Sequence, residues 1–228
     1  MVQRRFCLRI AIAAIFSLAL LLALRAAHAA DFEKWEKEIA AYEQTDRTSP
    51  PPNGGVLFIG SSTIRLWKTL AADFPQHRVI NRGFGGSQIA DATHFAERII
   101  FPYAPRMILL RAGGNDIHAG KSPELVFSDF RAFVIKVQEK LPDTEIAYIA
   151  LSPSIARWEE KGKGEALNRM VLEYTRQIPG LKYVAADSIS LGSDGKPRAE
   201  LFVADKLHFS PAGYKLLADS VRPHLPKP

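Results

Sequence analysis

Cysteine is almost missing from this chain. The single one, Cys7, lies within the leader-like first residues, ahead of their apolar run. The remainder has no thiol, which excludes disulfide staples, thiolate catalysis and cysteine–zinc sites. Histidine is scarce too. No two of the six histidines stand at metal-ligand spacing, so a metal site is not expected. His77, His94 and His224 read as surface residues. Several familiar signatures fail by one residue. Gly60-Ser61-Ser62-Thr63 lacks the second glycine of a nucleophile elbow, because Ile64 stands there. Gly83-Phe84-Gly85-Gly86-Ser87 lacks the third glycine of a dinucleotide loop, because Gln88 stands there, and no phosphate-loop lysine follows. No cofactor is implied.

A long apolar run is also absent. Ile10 to Leu24 spans 15 residues and ends at Arg25. That is short of the ~18 or more needed to cross a bilayer. Arg4, Arg5 and Arg9 before it and Ala27-His28-Ala29 after it give the layout of a bacterial export signal. The expected product is an exported protein, periplasmic or secreted, without a stable membrane span. Arg4-Arg5 is only a loose match to a twin-arginine signal. Cleavage after Ala29 leaves 199 of the 228 residues, enough for one sizeable core. It also removes Arg4, Arg5, Arg9 and Arg25 and no acid, so the net charge falls from +6 to +2. No clustered basic face argues for nucleic acid.

What is present is an alternation. Residues 30–55 read as an N-terminal helix, Asp31 to Arg47, and a proline-rich linker. Phe32, Trp35, Ile39 and Tyr42 recur at helical spacing, and Asp31 suits its cap. From residue 56 to 228 five short apolar runs follow: Val56–Ile59, Arg78–Asn81, Met107–Leu110, Glu145–Leu151 and Leu181–Ala185. Near-continuous apolarity predicts strands buried on both faces. Helical patterns separate them at Ile64–Phe74, Ile89–Ile100, Pro123–Leu141 and Glu165–Ile178, with a last one at Pro211–Leu225. Strand and helix in turn predict an α/β domain, a parallel sheet covered on both sides.

The polar residues fall where such a sheet binds ligands. Ser62 follows the first strand, Gly86 and Ser87 the second, Gly113-Gly114-Asn115-Asp116 the third, and Asp205 and His208 the fifth. Those positions share the carboxyl edge. An acid and an imidazole three residues apart can lie on one side of a helical turn and take a proton from a distant serine. Each residue also has a plain structural use. Ser61 or Ser62 can cap a helix, the glycines can serve turns, and Asp205 can cap the turn before Pro211.

Together the four blocks resemble the SGNH hydrolases, the GDSL-type lipases and esterases, in order and spacing from about Val56 to Leu225. The stretch from Phe58 to Trp67 looks like a bacterial branch of that family. The resemblance implies a three-layer α/β/α, flavodoxin-like sandwich with a five-stranded parallel sheet, and metal-free ester hydrolysis. It implies Ser62 as nucleophile, His208 as base and Asp205 as the residue that orients it. The implied oxyanion hole is the backbone N–H of Ser62, that of Gly86, and the Asn115 amide. The family usually has aspartate before the nucleophile; here Ser61 stands there, which leaves Ser61 open as an alternative.

Arg82, Phe84, Arg111, Arg157 and Trp158 flank the expected rim as substrate contacts or as ordinary loop residues, with Asp116 and His118 further back. The expected activity is hydrolysis of short-acyl or acetyl esters of small molecules or glycans. Lysophospholipase or lipase-like action on lipid esters is the alternative within that chemistry. A non-catalytic glycan- or phosphate-binding module on the same fold is the alternative outside it.

Overall fold

Val56-Leu57-Phe58-Ile59-Gly60 is buried at every position and forms β1 (Val56–Gly60) of a computed structural model that describes residues 32–227. The export signal at 1–29 and the Asp31 cap lie outside the described residues. The sheet belongs to the compact unit that begins at Ile39. The helix expected over Asp31–Arg47 is observed as Glu36–Thr48.

β2 (Val79–Gly83), β3 (Met107–Arg111), β4 (Glu145–Ile149) and β5 (Leu181–Val184) complete one sheet of order β2-β1-β3-β4-β5, parallel throughout. β1 and β3 lie inside it and are buried at every residue. The edges β2 and β5 are buried only in part. Side chains alternate across the sheet. Val56, Phe58, Met107, Leu109, Ala147 and Ile149 therefore share one face and pack with Trp67, Phe74, Tyr214 and Leu217. On the other face Tyr148 meets Phe130 of the helix Pro123–Lys140 edge-on, ring centroids 5.2 Å apart. The result is three layers.

Two expected helices are broken. Ile64–Phe74 resolves into Ser62–Arg65 and Leu70–Asp73. Between them the Trp67 indole N–H and the Thr69 hydroxyl both donate to the Asp73 carboxylate, at 2.6 and 2.7 Å. That side-chain knot competes with a continuous backbone ladder. Ile89–Ile100 likewise divides at Phe95 into Ile89–His94 and Ala96–Ile99. The helix expected at Glu165–Ile178 starts earlier, as Lys161–Thr175. The last helix, Pro211–Val221, opens on the Ser210 cap and gives way to a 3-10 turn, Arg222–His224. Among the described residues no helix is long and apolar enough to cross a membrane.

The strand order reverses between β1 and its neighbours β2 and β3, which opens a crevice beyond their carboxyl ends. Ser62 and Gly113 to Asn115 follow the two strands on either side of it.

Candidate active site

The crevice is a cleft of about 880 Å³, including its solvent-open mouth. Ser61, Ser62, Asn115, Arg157 and His208 are among its lining residues.

Ser62 is delivered by the end of β1. Gly60 has φ +146°, and in register it faces Gly83 on one side and Arg111 on the other. The helix Ser62–Arg65 then sits directly on Gly83, where a Cβ would meet the Arg65 nitrogen at 2.3 Å. Asn81 Nδ2 donates to the Ile64 carbonyl at 2.7 Å and the Tyr214 hydroxyl to the Thr63 carbonyl at 2.9 Å. Four residues of helix would not hold themselves in water; these outside donors hold them here.

His208 and Asp205 come from a turn, not from the helical turn their spacing suggested. Lys206 between them has φ +58°. The Val203 N–H donates to the His208 carbonyl at 2.9 Å, and Phe202 and Phe209 form an antiparallel bridge at the base. The left-handed residue bends the chain so that both side chains point the same way. His208 Nδ1 lies 2.6 Å from Asp205 Oδ2, and His208 Nε2 lies 2.8 Å from Ser62 Oγ. The other Asp205 oxygen accepts the backbone N–H groups of Leu207 and His208, both at 2.9 Å. An acceptor-only carboxylate facing Nδ1 selects the tautomer with its proton there and leaves Nε2 free to accept from the hydroxyl.

The His208 side chain, helped by those backbone donors, holds the Asp205 carboxyl down at about 2, below its ordinary 3.8. A lowered carboxyl pKa adds stability above the unfolded value and loses it as pH falls through the folded one. The contribution of Asp205 is therefore complete above about pH 4 and gone near pH 2. Thermal melts across that window are expected to show a steeper acid loss for the wild type than for Asp205→Asn. Parallel curves would contradict the pairing.

Gly86 sits in a turn after β2 with φ +80°, which glycine takes without strain. The Ser87 N–H donates to the Phe84 carbonyl at 3.3 Å, and the Ser87 hydroxyl reaches the Gly60 carbonyl at 3.2 Å. Asn115 Nδ2 donates to the Ser87 carbonyl at 3.0 Å, while Asn115 Oδ1 accepts from Arg157 Nη1 at 3.0 Å.

The flanking residues divide. Arg157 lines the cleft. Arg111 also lines it from a buried position, donating to the Ala150 carbonyl and, at 3.2 Å, to Ser152 Oγ, with its guanidinium 5.7 Å from the Phe209 ring centroid. Burial pushes its pKa down to about 10, so it stays charged at neutral pH. Arg82 and Phe84 are not in the cleft. Arg82 is buried between the rings of Tyr42 and Tyr103, each 4.7 Å away, and pairs with Asp46 at 2.6 Å. Phe84 is fully buried, edge-on to Phe95. Trp158 is half-buried outside the lining, with Lys161 Nζ 5.2 Å from its ring centroid. Asp116 is fully buried and paired with Lys121 at 3.1 Å, and His118 lies 2.6 Å from Glu160. Glu160, a lining residue, carried no sequence signal beyond charge. Among the described residues no group of three or more His, Cys, Asp or Glu side chains is placed to hold a metal ion.

The arrangement sets an imidazole against a serine hydroxyl, with the Asn115 amide lining the same cleft. A family model described as the GDSL-like lipase/acylhydrolase family matches residues 59–216. No curated relative matches the chain. Several solved structures share the fold. A Streptococcus pneumonia protein described as a candidate platelet activating factor has a TM-score of 0.75 at 21% identity, covering 85% of this chain and 94% of its own. A GDSL-like lipase from Bacteroides thetaiotaomicron has a TM-score of 0.67 at 16% identity, covering 85% and 96%. A catalytic mutant of an acetylxylan esterase from Geobacillus stearothermophilus has a TM-score of 0.60 at 15% identity, covering 75% and 94%.

Proposed function

Because the chain belongs to the GDSL-like lipase/acylhydrolase family and is a hydrolase of ester bonds, we propose that Ser62, His208 and Asp205 are its catalytic triad. The observation that carries this reading is the unbroken chain of contacts from Ser62 Oγ through both imidazole nitrogens to the Asp205 carboxylate, 2.8 and 2.6 Å.

In this reading His208 Nε2 takes the proton of Ser62 as its oxygen attacks the ester carbonyl. The carbonyl oxygen becomes an anion, met by the backbone N–H groups of Ser62 and Gly86 and by Asn115 Nδ2. The ester C–O bond then breaks, His208 returns the proton to the leaving alcohol, and the acyl group stays on Ser62. Water repeats the sequence: His208 takes its proton, hydroxide attacks the acyl carbon, and Ser62 leaves with the proton back. Asp205 stays ionised throughout and stabilises the imidazolium.

Short acyl groups suit the cleft best. Its lining mixes the apolar Ile117, Leu151, Phe202, Leu207 and Phe209 with the charged Arg111, Arg157, Glu160, Lys161 and Glu165. A long acyl chain would lie against charged groups and strip their water, which costs free energy with no partner in return. A hydrated alcohol part, such as a sugar, would not. The acetylxylan esterase with the same fold acts on esters of this kind. Export to the periplasm or the medium belongs to the same proposal and rests on the leader-like first residues.

A series of p-nitrophenyl esters tests the substrate. kcat/KM is expected to fall at least about tenfold from acetate to decanoate. A rise with chain length, or faster turnover of a lysophospholipid than of an acetylated sugar, would replace this proposal with a lipid one.

A further inference from the structure

An amide donor in an oxyanion hole has a problem of orientation. The two ends of a carboxamide have nearly the same shape, and turning it over replaces N–H by a carbonyl oxygen. At Asn115 that would put a lone pair where an anion must form. The surroundings leave only one choice. Arg157 Nη1 can only donate, and it stands 3.0 Å from Oδ1. The Ser87 carbonyl can only accept, and it stands 3.0 Å from Nδ2. One Nδ2 hydrogen is spent on Ser87; the other is left for the cleft that Asn115 lines.

Arg157 is itself held. Nη1 also donates to the Gly114 carbonyl at 3.2 Å, and the Arg157 backbone N–H donates to Ser154 Oγ at 3.2 Å. One residue earlier, the Ala156 N–H donates to the Lys206 carbonyl at 3.0 Å, inside the turn that carries Asp205 and His208. The segment after β4 therefore touches the amide with a side chain and the acid–base turn with its backbone. With the Ser87 hydroxyl on the Gly60 carbonyl, hydrogen bonds run from the end of β1 through all the loops in turn.

We infer that Arg157 is a positioning residue: it turns the Asn115 amide so that N–H faces the reacting oxygen, and it ties that amide to the turn bearing His208. It acts through Asn115 and needs no contact with substrate. A charge-assisted bond to Oδ1 also polarises the amide and makes the remaining N–H a stronger donor. The inference rests on Asn115 being an oxyanion donor, as proposed above.

The test is a double-mutant cycle of Arg157→Met and Asn115→Ala, read as kcat and KM on p-nitrophenyl acetate with the melting temperature of each protein. Asn115→Ala is expected to lower kcat by ~10²–10³. Arg157→Met is expected to lower it by roughly 10–100-fold with KM little changed, the scale of a displaced catalytic group. In the Asn115→Ala background the arginine should cost less than about twofold, since its only route of action is gone. If Arg157→Met melts early, Arg157→Gln carries the same cycle. An equal loss from Arg157→Met in both backgrounds, or a change confined to KM, would overturn the inference and leave the Asn115 assignment standing. Wild-type kcat in Asn115→Ala would instead remove that assignment, and this inference with it.

Discussion

Alanine at position 62 is expected to lower ester turnover by ~10⁴-fold or more, with the fold intact. The Ser62 hydroxyl is placed for His208 at 2.8 Å. It does not build the helix it opens: the N-cap is Ser61, whose carbonyl accepts the Ile64 and Arg65 N–H groups, each at 3.1 Å. Removing one half-buried oxygen costs the fold little, because water can reach the imidazole left behind. What remains in the variant is the proposed oxyanion site and binding, which supply only a small part of the rate. Ser61→Ala is the control. Ser61 also lines the cleft, but its structural contribution comes through its backbone, which alanine keeps. It should retain activity within a few fold, and a fluorophosphonate probe should label Ser61→Ala but not Ser62→Ala. The opposite pattern would make Ser61 the nucleophile.

The largest effect on stability is expected from Gly60→Ala. A Cβ there would lie 2.0 Å from the Arg111 carbonyl oxygen and 2.7 Å from its carbon, both backbone atoms. The φ of +146° adds strain for any residue with a side chain. Relief requires parting β1 from β3 at the strand end that delivers Ser62. The Gly60 carbonyl also accepts the Phe84 N–H at 3.0 Å and the Ser87 hydroxyl, so the shift would pass into the loop that accepts from Asn115. A loss of about 3–5 kcal/mol is expected, seen as a fall of about 10 °C in melting temperature. Gly162→Ala gives the contrast. It lies in the helix Lys161–Thr175 with open space where a Cβ would go. It should gain about 0.5–1 kcal/mol. A Gly60→Ala protein that melts with the wild type would mean that the close approach of β1 to Arg111 is not what holds this edge.

The triad candidates were legible because their signal is mostly local. Ser62 ends an apolar run at a glycine, and Asp205 and His208 stand three residues apart near the end of the chain. The shape of their turn was not legible. The same spacing fits a helical turn and the observed left-handed bend at Lys206; the Phe202–Phe209 bridge and the backbone bonds of Val203 and Ala156 to this turn go with the second. For Arg82 the sequence left substrate contact and ordinary packing both open, for a different reason. It belongs to β2, where neighbouring side chains face opposite ways. Asn81 reaches under the Ser62 helix while Arg82 turns to Asp46 and Tyr103. Which parity faces the cleft depends on the other strands. Glu160 and the Arg157–Asn115 contact were invisible because their partners lie about forty residues away along the chain.

The order of amino acids by itself determined the alternation of buried strands and helices, the glycines at the strand ends, and the chemical types gathered at one sheet edge. Those follow from burial periodicity and backbone sterics, which act over a few residues. The tertiary structure alone decided which donor meets which acceptor: the imidazole on Ser62, the guanidinium on the Asn115 amide, and Arg82 turned away from both. Hydrogen bonds act over about 3 Å. They are set only once the strand order β2-β1-β3-β4-β5 has brought five distant loops to the same rim.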